Sequence, residues 1–475
     1  MKKKWGLTHQ LIIGSCLICA FFFLFYIRDA AASLYSNLSI SGLIKNETAY
    51  RIERPPSFSK ILNIVQLEPR YHVTNRLSIS GRIRGFYDAV YDLESIDTIS
   101  IRKGPTSILI ENPTAEQIPG IDIDNVRGVD IYKRDIELKE IYIDYHLRDM
   151  DIRMGKQIVR WGVVEGARVT DEINALDFDE VILRDIENRY IPAWMLKMDY
   201  YLTDYTLEFL WIPDLEFHEP APKASAWEQL QFLPGIKRPA QNFKNSETAL
   251  KVSRFIKGWD ISLSYFYTWD DFPTSFRSIQ LASIFGDAPD LDFNQRYTRL
   301  RIIGSSFSRS VDRVIINGEA AYVRGKFFGT RFKGLLDPEP LNSFGESKKN
   351  FLKYALSIDF PLFGWDMSAQ YIQQFIPNYD EELIPDRFDT VYGFSMRKRF
   401  LHDLLFPQFL IIYFLNDDDF LIRPKIDYLM TDQLKVTFGA DILQGDIGDS
   451  RPGEFHFIGF FDNNDRIYVE ITYGF

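Results

Sequence analysis

The sequence predicts an all-β chain closed into a transmembrane antiparallel barrel of about eighteen strands, sixteen at the fewest, behind an N-terminal signal peptide. Three observations predict it. The chain is 46% hydrophobic and 15% aromatic, yet its mean hydropathy is −0.17. Apolar and polar residues alternate with period two over segments of about ten residues, the length of a strand that crosses a bilayer. The connections between those segments are short and long by turns, as in barrels whose loops lie on one side of the membrane.

The first element is an address. Lys2, Lys3 and Lys4 precede an apolar run from Leu11 to Ile27 and then Ala30-Ala31-Ala32, the basic, apolar and small-residue regions of a secretory signal. Cleavage after Ala32 is expected. An uncleaved anchor is the alternative reading, because the run is long. A lipoprotein site at Cys16 would cut it in half. Both cysteines, Cys16 and Cys19, lie in this segment, so residues 33–475 carry no disulfide and no thiolate ligand. They hold 51 basic against 65 acidic residues, net −14, which argues against a nucleic-acid partner.

Strands are expected at 37–50, 59–71, 76–88, 136–148, 151–161, 193–202, 205–212, 246–256, 259–269, 294–306, 312–324, 350–360, 364–376, 389–399, 404–415, 419–429, 433–443 and 465–475. The clearest runs Trp259, Ile261, Leu263, Tyr265, Tyr267, Trp269 on one parity, opposite Asp260, Ser262, Ser264 and Thr268. Its apolar face suits lipid, with aromatic rings at the two interfaces. A charge at Leu263 should therefore be costly, and one at Ser264 tolerated. Thr203-Asp204, Lys257-Gly258, 361–363 and 430–432 are the short turns. Long loops are expected near 89–135, 162–192, 213–245, 270–293, 325–349 and 444–464. The last strand alternates Ile467, Val469, Ile471, Tyr473 and ends in Phe475, which suits recognition by the barrel-insertion machinery.

A barrel of this size has an aqueous lumen unless loops fill it. The inward parity carries Arg82, Arg84, Arg153, Arg299, Arg301, Lys353, Arg397, Arg423, Lys425 and Lys435, with Asp88, Asp199, Glu319, Asp359, Asp427 and Asp441 on the same wall. One reading is a basic track that gathers anions; the favoured one is a wet wall of mixed charges that partly pair. The acidic loop 162–192, with Arg168, Asp171 and Asp177, folds inward as a constriction in one reading and is a solvated surface loop in the other.

Asp151 to Gln157, Arg160-Trp161-Gly162, Arg168 to Asp171 and Asn174 to Asp177 resemble the signature stretch of a proteobacterial outer-membrane family, domain of unknown function 1302. Lys45 to Tyr50, Tyr87 to Asp92 and Trp211 to Asp214 are similar to it too. Ala175 stands where that family would have Pro. The resemblance implies a barrel in the outer membrane of a Gram-negative bacterium, associated with inner-membrane efflux systems and lipid-like cargo, and implies no catalytic residues. Lys156 breaks the outward parity of Ile152, Met154 and Ile158, which suggests a bulge near Gly155.

The six histidines are scattered and form no zincin or haem-attachment motif, and no nucleophile elbow or phosphate loop is present. No enzyme activity, metal or cofactor is expected; His146 beside Asp144 is the residual candidate for chemistry. Asn416 to Asp419 and Asp446 to Asp449 are oxygen-rich and suit either plain turns or calcium. The expected function is a porin-like channel or exit barrel for small polar, anionic or lipid-like molecules. The alternative is a structural barrel that houses or docks an exported cytochrome or lipoprotein. Membrane lipid and lipopolysaccharide are the expected surroundings.

Overall fold

The computed structural model describes residues 37–54, 56–93, 133–221, 225–227, 236–280, 290–330, 346–446, 456 and 458–475. The signal peptide, most of the 89–135 loop and parts of four further long loops lie outside the described residues. The strands are β1 (Leu38–Arg51), β2 (Ser57–Thr74), β3 (Leu77–Asp88), β4 (Arg134–His146), β5 (Met150–Gln157), β6 (Ala193–Tyr201), β7 (Thr206–Ile212), β8 (Glu247–Ile256), β9 (Trp259–Trp269), β10 (Thr274–Gln280) and β11 (Asp290–Arg296). They continue with β12 (Arg299–Val311), β13 (Val314–Gly329), β14 (Glu346–Leu362), β15 (Trp365–Phe375), β16 (Phe388–Arg397), β17 (Leu405–Phe414), β18 (Asp419–Leu429), β19 (Leu434–Gln444) and β20 (Arg466–Gly474).

Eighteen of these form one sheet in which each strand pairs antiparallel with its chain neighbours, β9 passing directly to β12. The ring closes where β20 pairs with β1, from Leu43 opposite Gly474 to Arg51 opposite Arg466. Phe475 and Gly42 exchange backbone hydrogen bonds of 3.0 Å at the seam. Closure leaves no unpaired edge, the condition for strands in a solvent without hydrogen bonds. β10 and β11 pair only with each other, as a hairpin within the β9–β12 loop.

Two of the expected spans differ. The segment 294–306 divides: residues to Arg296 belong to the loop hairpin, and the wall strand starts at Arg299 and runs on to a turn at Asp312-Arg313. The strand expected over 151–161 ends at Gln157, because the backbone N–H groups of Val159 and Trp161 are taken by loop side chains instead of a ladder. The register shift near Gly155 lies across the pair, on β4, where Arg82 faces Glu140 and Ile83 faces Leu138, leaving Lys139 extra. Gly155 itself has φ +144°, and a Cβ there would stand 2.2 Å from the Ile141 carbonyl oxygen.

The faces follow the pattern of the sequence. On β9 Leu263 is 59% exposed and Ser264 8%. Outward tyrosines form a row across four strands, Tyr354 to Tyr371 to Tyr392 to Tyr413, at 6.1, 5.5 and 6.5 Å between centroids, the girdle position of a membrane barrel.

Candidate functional site

The inward face of β6 to β14 is mixed, and between polar residues such as Glu208, Glu319 and Lys353 it holds an apolar patch. It carries Ala193, Met195, Leu210, Ile212, Ala249, Phe266, Leu300, Ile302, Ala321, Val323, Phe351 and Ala355, all buried. What buries them is residues 158–192, the loop between β5 and β6. Its Val159, Trp161, Val164, Ala167, Val169 and Ile173 share one apolar cluster with that wall. The loop thus enters the lumen because its own apolar side chains and those of the wall leave water together.

Polar bonds fix where it crosses. Glu319 on β13, 4% exposed, accepts hydrogen bonds from the backbone N–H groups of Val163 (2.5 Å), Val164 (2.7 Å) and Thr170 (3.1 Å) and from the Thr170 hydroxyl (2.7 Å). A buried carboxylate and four loop donors satisfy one another. Gly162 makes the approach possible: its φ is +104°, and a Cβ there would lie 2.9 Å from the Glu319 carboxylate. On the next strand Lys353 pairs with Glu172 of the loop.

The loop's other end meets the opposite wall. Glu180 pairs with Lys60 of β2 at 2.6 Å and with Arg466 of β20 at 2.7 Å. In the ring of eighteen, β2 and β13 are nine strands apart in either direction, so Lys60 and Glu319 stand diametrically opposed. The contacts at Glu180 extend along the wall as an alternating chain: Lys45 to Glu47 (2.6 Å), Glu47 to Lys60 (2.6 Å), Arg466 to Asp441 (2.7 Å), Asp441 to Arg423 (2.6 Å). Burial would push the Glu180 carboxyl up, but Lys60 and Arg466 outweigh it and hold it at about 2. Burial and the adjacent Asp177 carboxylate push Asp179 well above the usual carboxylate range.

The three loop residues singled out in the sequence act within the loop. Asp171 accepts from the Trp161 N–H at 2.9 Å and from the Tyr190 hydroxyl; burial raises its carboxyl. Arg168 donates to the Asp171 and Asn174 carbonyls, both at 2.7 Å. Asp177 pairs with Arg184 at 2.9 Å. Beyond it the loop docks on residues 213–221: Phe178 N–H donates to the Glu219 carbonyl, Glu219 N–H to the Leu176 carbonyl, and Leu176 N–H to His218 Nδ1.

Between this part of the loop and β2 to β4 is a cavity of about 640 Å³ lined by Lys60, Arg84, Glu137, Lys156, Glu180 and Trp227 among others. Arg84 is 5% exposed and faces Glu137 across the strands. The wall from β15 to β19 is mixed: Leu421 and Leu443 share an apolar cluster with Val181 and Leu183 of the loop. The wall's inward residues Ser368, Gln370, Gln374, Ser395 and Lys425 are half-buried and polar, and among the described residues no hydrogen bond or ion pair joins them to the loop.

The wall charges predicted from parity are placed as follows. Arg82 pairs with Glu68 and Glu140, Arg153 with Asp144, and Asp199 with Lys197. Asp88 accepts the Ile61 N–H, Asp359 the Ser368 hydroxyl and Asp427 the Thr437 hydroxyl. Lys425 lies 4.0 Å from Asp427, and neither Arg397 nor Lys435 has an ion pair among the described residues. Arg299 and Arg301 are corrections. They face outward: Arg299 lies opposite Trp269 with its guanidinium 4.1 Å from that ring, and Arg301 lies opposite Tyr267. The reason is that the inward side of this strand is apolar: Leu300 and Ile302 face the loop cluster, so the rule of charge inward and apolar outward is inverted here.

The remaining candidates are structural. His146 pairs with Asp151 at the β4–β5 turn, and Asp144 is held by Arg153. Asp419 accepts the backbone N–H groups of Ile458 and Gly459. Among the described residues no group of three or more His, Cys, Asp or Glu is arranged to hold a metal ion; residues 447–449 lie outside the described part. Lys60, Glu180 and Arg466 are anchors absent from the inward residues named from sequence, and Glu319, named there, gave no sign of its loop partners. The signal for a loop packed inside was the apolar inward residues on β6 to β14.

An eighteen-stranded antiparallel ring with a loop folded into its lumen defines a transmembrane β-barrel of porin-like fold. The chain belongs to the DUF1302 family, described as proteins of unknown function, whose pattern matches residues 57–382. No curated protein matches it in sequence. In structure it is similar to Acinetobacter baumannii OccAB2, with TM-score 0.53 and 9% identity over 93% of this chain and 99% of that one. Pseudomonas aeruginosa OccK8 (OprE) follows at TM-score 0.49 and 10% identity, over 93% and 98%. OmpT, an outer membrane protein of Vibrio cholerae, gives 0.40 and 8%, over 92% and 97%. At these identities the likeness is one of fold, and it rests on the first.

Proposed function

We propose that this chain is a channel in the outer membrane of a Gram-negative bacterium that passes small polar solutes along the wall of β15 to β19, anions in preference to cations. One observation carries the reading: the inward residues Ser368, Gln370, Gln374, Ser395 and Lys425 are polar and half-buried, while the 158–192 loop packs on the apolar inward positions of β6 to β14 and, through Val181 and Leu183, on Leu421 and Leu443 of β18 and β19. Among the described residues Arg397 and Lys435 stand on that wall without an ionic partner and Lys425 lies 4.0 Å from Asp427, whereas Lys60, Lys353 and Arg466 under the loop are closely paired. Unpaired cations on a narrow wet wall raise the local concentration of anions. A polar wall also argues for polar cargo over lipid-like cargo.

The test is single-channel recording in planar bilayers under a salt gradient. A stable conductance with a reversal potential on the anion side is the expected result. A pure, folded barrel that conducts nothing would instead favour a structural barrel that houses or docks an exported protein. The strand that closes the ring and ends in Phe475 is also the segment we propose the insertion machinery reads; deletion of Phe475 should reduce the folded fraction in membranes.

A further inference from the structure

On the outside of the barrel Arg301 of β12 and Arg324 of β13 are direct cross-strand partners on the same face. Like charges directly opposite one another destabilise a strand pair, and here both are exposed and neither has a hydrogen bond or ion pair among the described residues. Arg299 is one outward position above Arg301, stacked on Trp269 and Tyr267 at 4.1 and 4.6 Å and donating to the Ser246 carbonyl. Lys348, exposed on β14, lies 5.2 Å from the outward ring of Phe327. Four cations therefore converge at the long-loop end of β12 to β14. One rung below Arg301 the outward surface becomes apolar, with Ile303 between Tyr265 and Tyr322. The opposite rim is built differently: Arg254 stacks on Tyr205 there and has a carboxylate partner in Asp204.

We propose that Arg299, Arg301, Arg324 and Lys348 form a binding site for the phosphorylated head group of an outer-leaflet glycolipid. A phosphate between Arg301 and Arg324 turns their repulsion into paired charge-assisted hydrogen bonds, which guanidinium groups make with fork geometry. The lipid is the source of the phosphate because the site faces outward, directly above a band whose apolar side chains meet acyl chains. The stacked rings hold Arg299 in place and carry the sugar-level contact that aromatic residues favour at this depth.

The experiment measures thermal unfolding of the purified full-length barrel, wild type and Arg301→Gln/Arg324→Gln, in detergent. Each is tested with phosphorylated lipid A, with the same lipid after removal of its phosphates, and with inorganic phosphate at equal phosphate concentration. Without ligand the double variant is expected to unfold at the same temperature as wild type or higher, since repulsion is relieved. With lipid A the order reverses, and the half-saturating concentration is about ten-fold or more higher in the variant. Heat-modifiable gel migration verifies that the variant is folded, and Arg254→Gln at the other rim should leave the response unchanged. Equal protection of the variant, or equal protection by the dephosphorylated lipid, overturns the site. Equal protection by inorganic phosphate overturns the lipid assignment.

Discussion

Thr170 gives both its backbone N–H and its hydroxyl to the carboxylate of Glu319, 149 residues further along the chain. That double contact pins a loop born between β5 and β6 to β13. Glu180 pins the same loop to Lys60 on the wall directly across. The lumen is partitioned along a diameter as a result.

Removing the first anchor should open the partition. Glu319→Ala leaves the N–H groups of Val163, Val164 and Thr170 buried without an acceptor, at about 1–3 kcal/mol for each that finds no water. Single-channel conductance should rise, and trypsin should reach Arg168 faster than in wild type. Unchanged conductance with unchanged protection would refute the partition.

The second anchor should respond to acid. Glu180 is held at about 2 in the folded chain, below its ordinary value. Its contribution is therefore complete above the unfolded value near 4.5 and is lost as pH falls through 2. At pH 7 Glu180→Gln should loosen this end of the loop by about 3 kcal/mol, while wild type loosens only in strong acid. Conductance recorded between pH 7 and pH 3 decides: a wild-type opening already complete at pH 5 would assign the gate to another group.

Leu263→Arg should cost about 2–4 kcal/mol, because it places a charge in the apolar band. Ser264→Arg, which the strand pattern alone would tolerate, should also be damaging. Ser264 is buried, and its Oγ would stand 2.6 Å from a Cβ at Gly304, a glycine whose other close neighbour is Thr170 of the loop. Urea unfolding in detergent micelles checks both; wild-type stability for Ser264→Arg would mean the loop is not packed there.

At the outer rim Asp417 is pushed up to about 6 by burial, which the neighbouring Asp419 and Asp389 carboxylates reinforce and His456 opposes. A carboxyl raised in the folded state favours folding below its unfolded value and loses that advantage as pH rises through 6. Asp417→Asn should therefore raise the melting temperature at pH 8, by the equivalent of about 1 kcal/mol after solvent screening, and leave it unchanged at pH 4. A gain at pH 4 as large as at pH 8 would contradict the assignment.

Lys425→Gln with Lys435→Gln should lower the anion preference without closing the channel, since neither residue anchors the loop. Reversal potentials in a tenfold salt gradient measure this. An unshifted potential would place the permeant path elsewhere.

The architecture was legible because a membrane barrel writes itself locally. Period two, aromatic strand ends and alternating connection lengths are constraints on neighbouring residues, and the eighteen wall strands emerge from them. Reading failed first at β12. Residues 290–296 alternate as well as any wall strand but pair only with β10, and on β12 itself Leu300 and Ile302 face the loop, so reading the charged parity as inward put Arg299 and Arg301 on the wrong face. Alternation reports that a segment is extended, and is silent about which sheet it joins.

The sequence by itself determined the class of fold, the outward faces other than that of β12, and the presence of a long acidic loop between β5 and β6. Only the tertiary structure decided that the loop lies inside. Its direction depends on bonds between residues more than a hundred positions apart, Thr170 with Glu319 and Lys60 with Glu180. A carboxylate on an inward parity looks the same in sequence whether it meets water, a lysine or three backbone N–H groups. What distinguishes these is the desolvation and contact that closure of the sheet brings about.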